Sequence, residues 1–140
     1  MAQPVFNNAG TFRKTAGTGL TTFDRVTFNN TGTVEVQTGT LSIGNFTQTA
    51  GSTDLNGGSL VFSSPAQILG GEILGSGIIN GSVVNSSGLL SPGHSPGSII
   101  VNGSYTQGQG AVLLIELAGL GTGQYDCLDV NGTVTLDGTL

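Results

Sequence analysis

The chain has 140 residues, of which 25 are Gly, 8% are charged and none is Trp, with a formal net charge of −5. Three Lys and Arg residues cannot neutralise a phosphate backbone, so nucleic-acid binding is excluded. Cys127 has no intrachain partner, which excludes a disulfide scaffold; the glycines lack a three-residue period, which excludes collagen; and the 36% hydrophobic content is patterned, which excludes a charged disordered tail.

The chain opens on Met1-Ala2-Gln3-Pro4, with neither the basic region nor the apolar core of a signal peptide. An export signal is therefore expected to have been removed or to lie upstream. Val5-Phe6 begins the first strand-like segment. Phe6-Asn7-Asn8-Ala9-Gly10-Thr11 recurs as Phe28-Asn29-Asn30-Thr31-Gly32-Thr33, an offset of 22 residues. Thr33–Gln37 alternates, placing Val34 and Val36 on one face of a strand. Thr40–Ile43 does the same with Leu41 and Ile43. Phe46-Thr47-Gln48 is echoed by Tyr105-Thr106-Gln107. Ala111–Leu117 is the nearest thing to a helix, and its Ala111–Ile115 is the longest apolar run. It is short, part β-branched and bounded by Gly110 and Gly119, and reads as a strand. Glu116 interrupts it far short of the roughly 20 apolar residues of a membrane span. Thr133–Asp137 is the last alternating segment.

Between these segments stand Asn56-Gly57, Asn80-Gly81, Asn102-Gly103 and Asn131-Gly132, separated by 24, 22 and 29 residues. Both residue types tolerate the positive φ of tight turns. A degenerate period near 20 residues in an all-β sequence predicts a repeat architecture. Each unit holds two or three short strands and sharp turns, which suits one coil of a parallel β-helix better than a hairpin sandwich. The expected fold is a β-helix of about 20 residues per coil and roughly seven coils, a rod on the order of 34 Å. Val, Ile and Leu would line its interior, and Thr, Ser, Asn and Gln its surface. The whole of 1–140 is expected to form one β-helical domain, a segment of a longer surface protein.

The second half carries an ordered set of motifs. Ser91-Pro92-Gly93-His94-Ser95-Pro96-Gly97 leads into Ser98–Asn102. Tyr105-Thr106-Gln107 and Ile115-Glu116-Leu117 follow, then Tyr125-Asp126-Cys127-Leu128-Asp129-Val130-Asn131-Gly132. This order resembles the passenger repeats of bacterial autotransporters, the group with autotransporter-associated β-strand repeats, over roughly residues 70 to 140. The resemblance implies a right-handed parallel β-helix on a bacterial cell surface, usually one stretch of a longer chain, with no catalytic residues. Such passengers continue past a final Gly-Thr-Leu and end in a translocator barrel; here Leu140 is the last residue.

No residue is assigned a catalytic, cofactor-binding or metal role. His94 lies in a double Pro-Gly turn whose residues suit type II geometry, without an evident nucleophile and acid beside it. Asp126 and Asp129 faintly echo a calcium-binding Gly-rich nonapeptide, but no second copy exists. Asp126 reads as a turn cap. Cys127 sits between two acids, the wrong setting for a reactive thiolate. Six Asn-x-Ser/Thr triplets follow from the turn composition. Thr-x-Thr pairs lie at offsets of 7, 9 and 86 residues, so they form no single array for a lattice such as ice.

Arg13, Lys14 and Arg25 all fall in the first 25 residues, and five of the eight acids lie from Glu72 onward. The two ends of the rod would differ in charge. No end cap is recognised at either Val5-Phe6 or Val134–Leu140. The expected function is therefore structural: a β-helical module of a bacterial extracellular or cell-surface assembly that associates with itself end to end into filaments. The alternative is an adhesin or carbohydrate-binding segment with surface glycans as partners. An enzyme is not expected at 8% charge, nor are a cofactor, a nucleic-acid partner or membrane insertion.

Overall fold

Every strand-to-strand pairing in the computed structural model, which describes residues 2–140, is parallel, and no helix is present among them. Gly, Asn, Ser and Thr interrupt every apolar run before a helical stripe can form, and the period-2 segments become strands. The strands are β1 (Val5–Asn8), β2 (Thr11–Lys14), β3 (Leu20–Asn30), β4 (Thr33–Val36), β5 (Thr40–Gln48), β6 (Ser52–Phe62), β7 (Ala66–Ile68) and β8 (Glu72–Asn80). They continue with β9 (Val83–Asn85), β10 (Leu89–Pro92), β11 (Ser98–Asn102), β12 (Tyr105–Gln107), β13 (Val112–Leu113), β14 (Cys127–Val130) and β15 (Val134–Thr135).

They stack as three ladders. The first face joins β1, the end of β3, the end of β5, β7, β9, β12 and β15. The second joins β2, β4, the starts of β6 and β8, β10 and β13. The third joins the starts of β3 and β5, the ends of β6 and β8, β11 and β14. The long strands β3, β5, β6 and β8 each wrap one corner. The result is a β-solenoid of about five turns. The expected count of seven is not confirmed: on the second and third faces six strands leave five stacking steps.

Alternation sends one residue in two to the interior. Val34, Val36, Leu41 and Ile43 are fully buried, as their spacing predicts. Ala111–Leu117 departs from its predicted strand: only Val112 and Leu113 join the ladder, Leu114, Glu116 and Leu117 are exposed, and Ile115 packs against the core. Likewise only Val134 and Thr135 of Thr133–Asp137 are paired. β-propensity alone does not extend a strand.

One interior column is polar. On the first face Asn8, Asn30, Gln48, Asn85 and Gln107 occupy equivalent inward positions, with Ile68 between Gln48 and Asn85. Asn8 Nδ2 donates to Asn30 Oδ1 at 2.8 Å, and Asn30 Nδ2 to Gln48 Oε1 at 3.0 Å. Further on, Asn85 Nδ2 donates to the Tyr105 hydroxyl and that hydroxyl to Gln107 Oε1. These amides also bind the backbone of the turn beside them, as Gln48 does at Gly70 and Glu72. They fix the corner from inside without a buried unpaired group. At that corner the coils approach so closely that a Cβ on Gly51 (φ 73°) would lie 1.9 Å from the Gly32 carbonyl oxygen.

Three of the four Asn-Gly pairs stack at one corner, between the third and first faces. Asn131 Nδ2 donates to Asn102 Oδ1 at 2.6 Å, and Asn102 Nδ2 to Asn80 Oδ1 at 2.8 Å. Asn56-Gly57 stands apart, at the corner between the second and third faces.

The two ends differ. The first coil presents Phe6, Phe12 and Phe23, one from each face, with ring centroids 5.1 to 6.2 Å apart. All three lie on Phe28. The three rings remain only partly buried. At the other end Leu113, Ile115, Leu128, Val130, Val134 and Leu136 line a concavity of about 510 Å³, together with Asp126 and Cys127.

Candidate functional site

Insertions accumulate at the corner between the second and third faces. The connection there is 37–39 in one coil, 57–58 in the next, then the single residue Ser76, then 93–97, then 114–126. A solenoid tolerates such growth because a longer surface loop adds little closure entropy and leaves the ladder intact. Successive loops therefore lean on one another along one edge of the rod.

His94 stands in the 93–97 loop. The chain turns at Pro92-Gly93 with Gly93 at φ 93°, as a type II turn requires. The second Pro-Gly pair does not repeat this: positive φ falls on Ser95 (75°) and not on Gly97, and the Ser95–Pro96 bond is cis. The loop doubles back onto the ladder, where Gly93 N donates to the Gly75 carbonyl. The His94 ring is thereby carried across two coils to Asp54, with Nε2 3.2 Å from Asp54 Oδ2.

Asp54 belongs to an outward column in which Arg13, Glu35 and Asp54 are in register. Adjacent like charges on paired strands repel. Arg13 Nε donates to Glu35 Oε2 at 2.5 Å on one side of the two carboxylates, and His94 meets Asp54 on the other. Gln37 and Asn56 both donate to Glu35 Oε1. The bond from Gln37, followed by that from Arg13, holds the Glu35 carboxyl below its ordinary pKa. Asp54 Oδ1 is buried without a hydrogen bond.

Asp126 is buried and ties two loops together. Its Oδ1 accepts from Gly97 N and its Oδ2 from Glu116 N, both at 2.9 Å. It thus acts as a cap between loops, and Asp129 plays no part, lying exposed on the third face. Cys127, beginning β14, is exposed and free. No group of three or more His, Cys, Asp or Glu among the described residues is arranged to hold a metal ion.

Two clefts flank Pro96. One, of about 390 Å³, is lined by Leu55, Asn56, Gly57, Ser76, His94 and Pro96. The other, of about 380 Å³, is bordered by Pro96, Ser98, Thr122, Tyr125 and Cys127 among others. Of these residues the sequence singled out His94 and Cys127 as side chains, and Asn56 only as a turn residue. Asp54, Ser76 and Tyr125 were missed. Asp54, Ser76 and Ser98 recur at 22-residue spacing, but Asp54 is in register with Leu74 and Asn56 with Ser76, so the spacing does not reveal the cleft, and nothing in the spacing marks Tyr125.

No protein-family model matches the chain, and no curated protein or solved structure matches it significantly.

Proposed function

We propose that this chain is a structural β-solenoid module of a bacterial extracellular or cell-surface assembly, and that it associates end to end. One observation carries the reading: both ends of the rod combine unpaired strand edges with an apolar surface. At one end β1, β2 and the start of β3 are unpaired on their outer side, around the Phe6, Phe12 and Phe23 rings. At the other, β14 is unpaired beside the concavity of Leu128 and Val130. Among the described residues, seven of the ten large exposed hydrophobic side chains lie from Leu114 onward, which makes that end the more adhesive one.

A contact between unlike ends is heterologous and does not close on itself, so it propagates as a filament. Parallel pairing continues the ladder, and apolar burial closes the interface. The charges favour the same orientation, since Arg13, Lys14 and Arg25 sit in the first coil and Asp129 and Asp137 at the far end. The compartment rests on the resemblance of roughly residues 70–140 to autotransporter passenger repeats.

The test is light scattering and electron microscopy of the purified chain over a range of concentrations. Mass that rises with concentration, and particles elongated along one axis, support the reading. Phe12→Asp places a charge in the exposed aromatic layer and should return the protein to monomers. A protein that stays monomeric at every concentration rejects it.

A further inference from the structure

We propose that the two clefts flanking Pro96 form one trough that binds a neutral saccharide chain. This inference is independent of end-to-end association, because the trough runs along the side of the rod.

The trough crosses four successive coils, from Asn56 to Tyr125. Three coil steps span roughly 14 Å, the length of a few linked sugar rings. Its chemistry matches a polyol. Asn56, Ser76, His94 and Thr122 line it with polar side chains; besides their bonds to Glu35, Ser98 N and Asp54, the Asn56 carbonyl oxygen, the Ser76 hydroxyl hydrogen and His94 Nδ1 remain to meet sugar hydroxyls. Tyr125, one of only two Tyr in the chain, is 40% exposed and lines the same cleft as Pro96. Aromatic face plus convergent polar groups is the combination that orients a ring with one apolar and several polar sides.

Other ligand classes fit less well. No Lys or Arg lines either cleft, and Arg13, which reaches Asn56 only through Glu35, is already paired, so no free positive charge attracts a phosphate or sulfate. The carboxylate of Asp54 already faces His94. An extended peptide would need a free strand edge, but the third-face segments of β6, β8 and β11 that border the clefts are paired on both sides. Rigidity favours binding as well: Asp126 fastens the 93–97 loop to the 114–126 loop through Gly97 N and Glu116 N, so the two cleft walls keep their spacing without a ligand.

Saturation-transfer NMR on the full chain tests this with cellotetraose, chitotetraose, maltotetraose and mannotetraose at millimolar concentration. At least one is expected to receive transfer from Tyr125. Tyr125→Ala should weaken that binding by roughly tenfold, and Tyr125→Trp should retain it. His94→Ala, at the opposite cleft, should weaken it several-fold. Unchanged circular dichroism establishes that the variants fold. Absence of binding to all four sugars overturns the proposal. Binding untouched by both Tyr125→Ala and His94→Ala overturns it too, as does displacement of the sugar by an uncharged extended decapeptide of equal affinity.

Discussion

Asn30 donates its side-chain amide to Gln48 Oε1 at 3.0 Å, 18 residues along the chain, and neither side chain is exposed to solvent. Asn30 Oδ1 also accepts from Asn8 Nδ2 and Gly32 N. One residue thus satisfies groups on three coils. Asn30→Leu preserves size but strands donors and acceptors on its neighbours. It is expected to destabilise the protein by about 2–3 kcal/mol, read from the midpoint of chemical denaturation. Ile68 tolerates the same column only because Gln48 is satisfied by Gly70 and Glu72, and Asn85 by Gly88. A loss below half a kilocalorie would show that the column does not support the fold.

Asp126→Ala removes the acceptor of both the Gly97 and the Glu116 amides. The expected cost is about 1–3 kcal/mol. Hydrogen exchange should locate it: Gly97 and Glu116 should lose protection, while β4 and β5 keep theirs. Uniform loss across the solenoid would instead make Asp126 part of the global folding unit.

Glu35 gives the protein an acid limb. Its carboxyl is held below the ordinary value of 4.5 by Gln37 and Arg13, so the folded state binds its proton less readily than the unfolded state. The resulting stability is present above the unfolded pKa and disappears as pH falls through the folded one. Glu35→Gln should flatten this limb, so that wild type and variant converge as the solution is acidified. Parallel curves in urea from neutral pH to pH ~3 would contradict it.

Tyr105 acts at the opposite extreme. Burial raises its pKa above the ordinary 10.0, and the bond from Asn85 opposes this only in part. A raised folded pKa means that stability is intact below the unfolded value and declines as pH rises through the folded one. Tyr105→Phe should remove that alkaline decline. At neutral pH it should cost about 1 kcal/mol, because the hydroxyl bridges Asn85 and Gln107. Ultraviolet titration of the phenol, with Tyr125→Phe as background, reads the ionisation directly.

Gly51→Ala tests the close approach of the coils. The new Cβ would meet the Gly32 carbonyl at a φ of 73°. Backbone strain alone costs about 1–3 kcal/mol, and the steric overlap adds to it. Gly10, with open space around its Cβ position, is the contrasting site: Gly10→Ala should leave the melting temperature nearly unchanged.

The repeating grammar was legible in the residues themselves. Alternation is a local property, so Val34, Val36, Leu41 and Ile43 declared their buried face without reference to any partner. The 22-residue return of Phe-Asn-Asn-x-Gly-Thr placed Phe6 on Phe28 and Asn8 on Asn30, and both pairs are in register. The period thus disclosed a stacked parallel fold, because every coil must use about the same length of chain to return to the same face. It did not give the number of turns, since the loops differ in length and a mean period hides them.

What tertiary structure alone decided is which residues of different coils meet. Asp54 and His94 are 40 residues apart and come together only because the 93–97 loop folds back over two rungs. Asn56-Gly57 carries the same dipeptide as Asn80-Gly81, yet it faces another corner, because it lies at the bend within β6 whereas Asn80 ends β8. Asp126 reads locally as the cap of its own turn, but its two acceptor bonds join loops that the ladder sets side by side. Strand and turn preferences depend on neighbours along the chain. Clefts, clamps and charge columns depend on the axial stacking of the coils and on the length of each loop between them, and no short stretch of sequence encodes either.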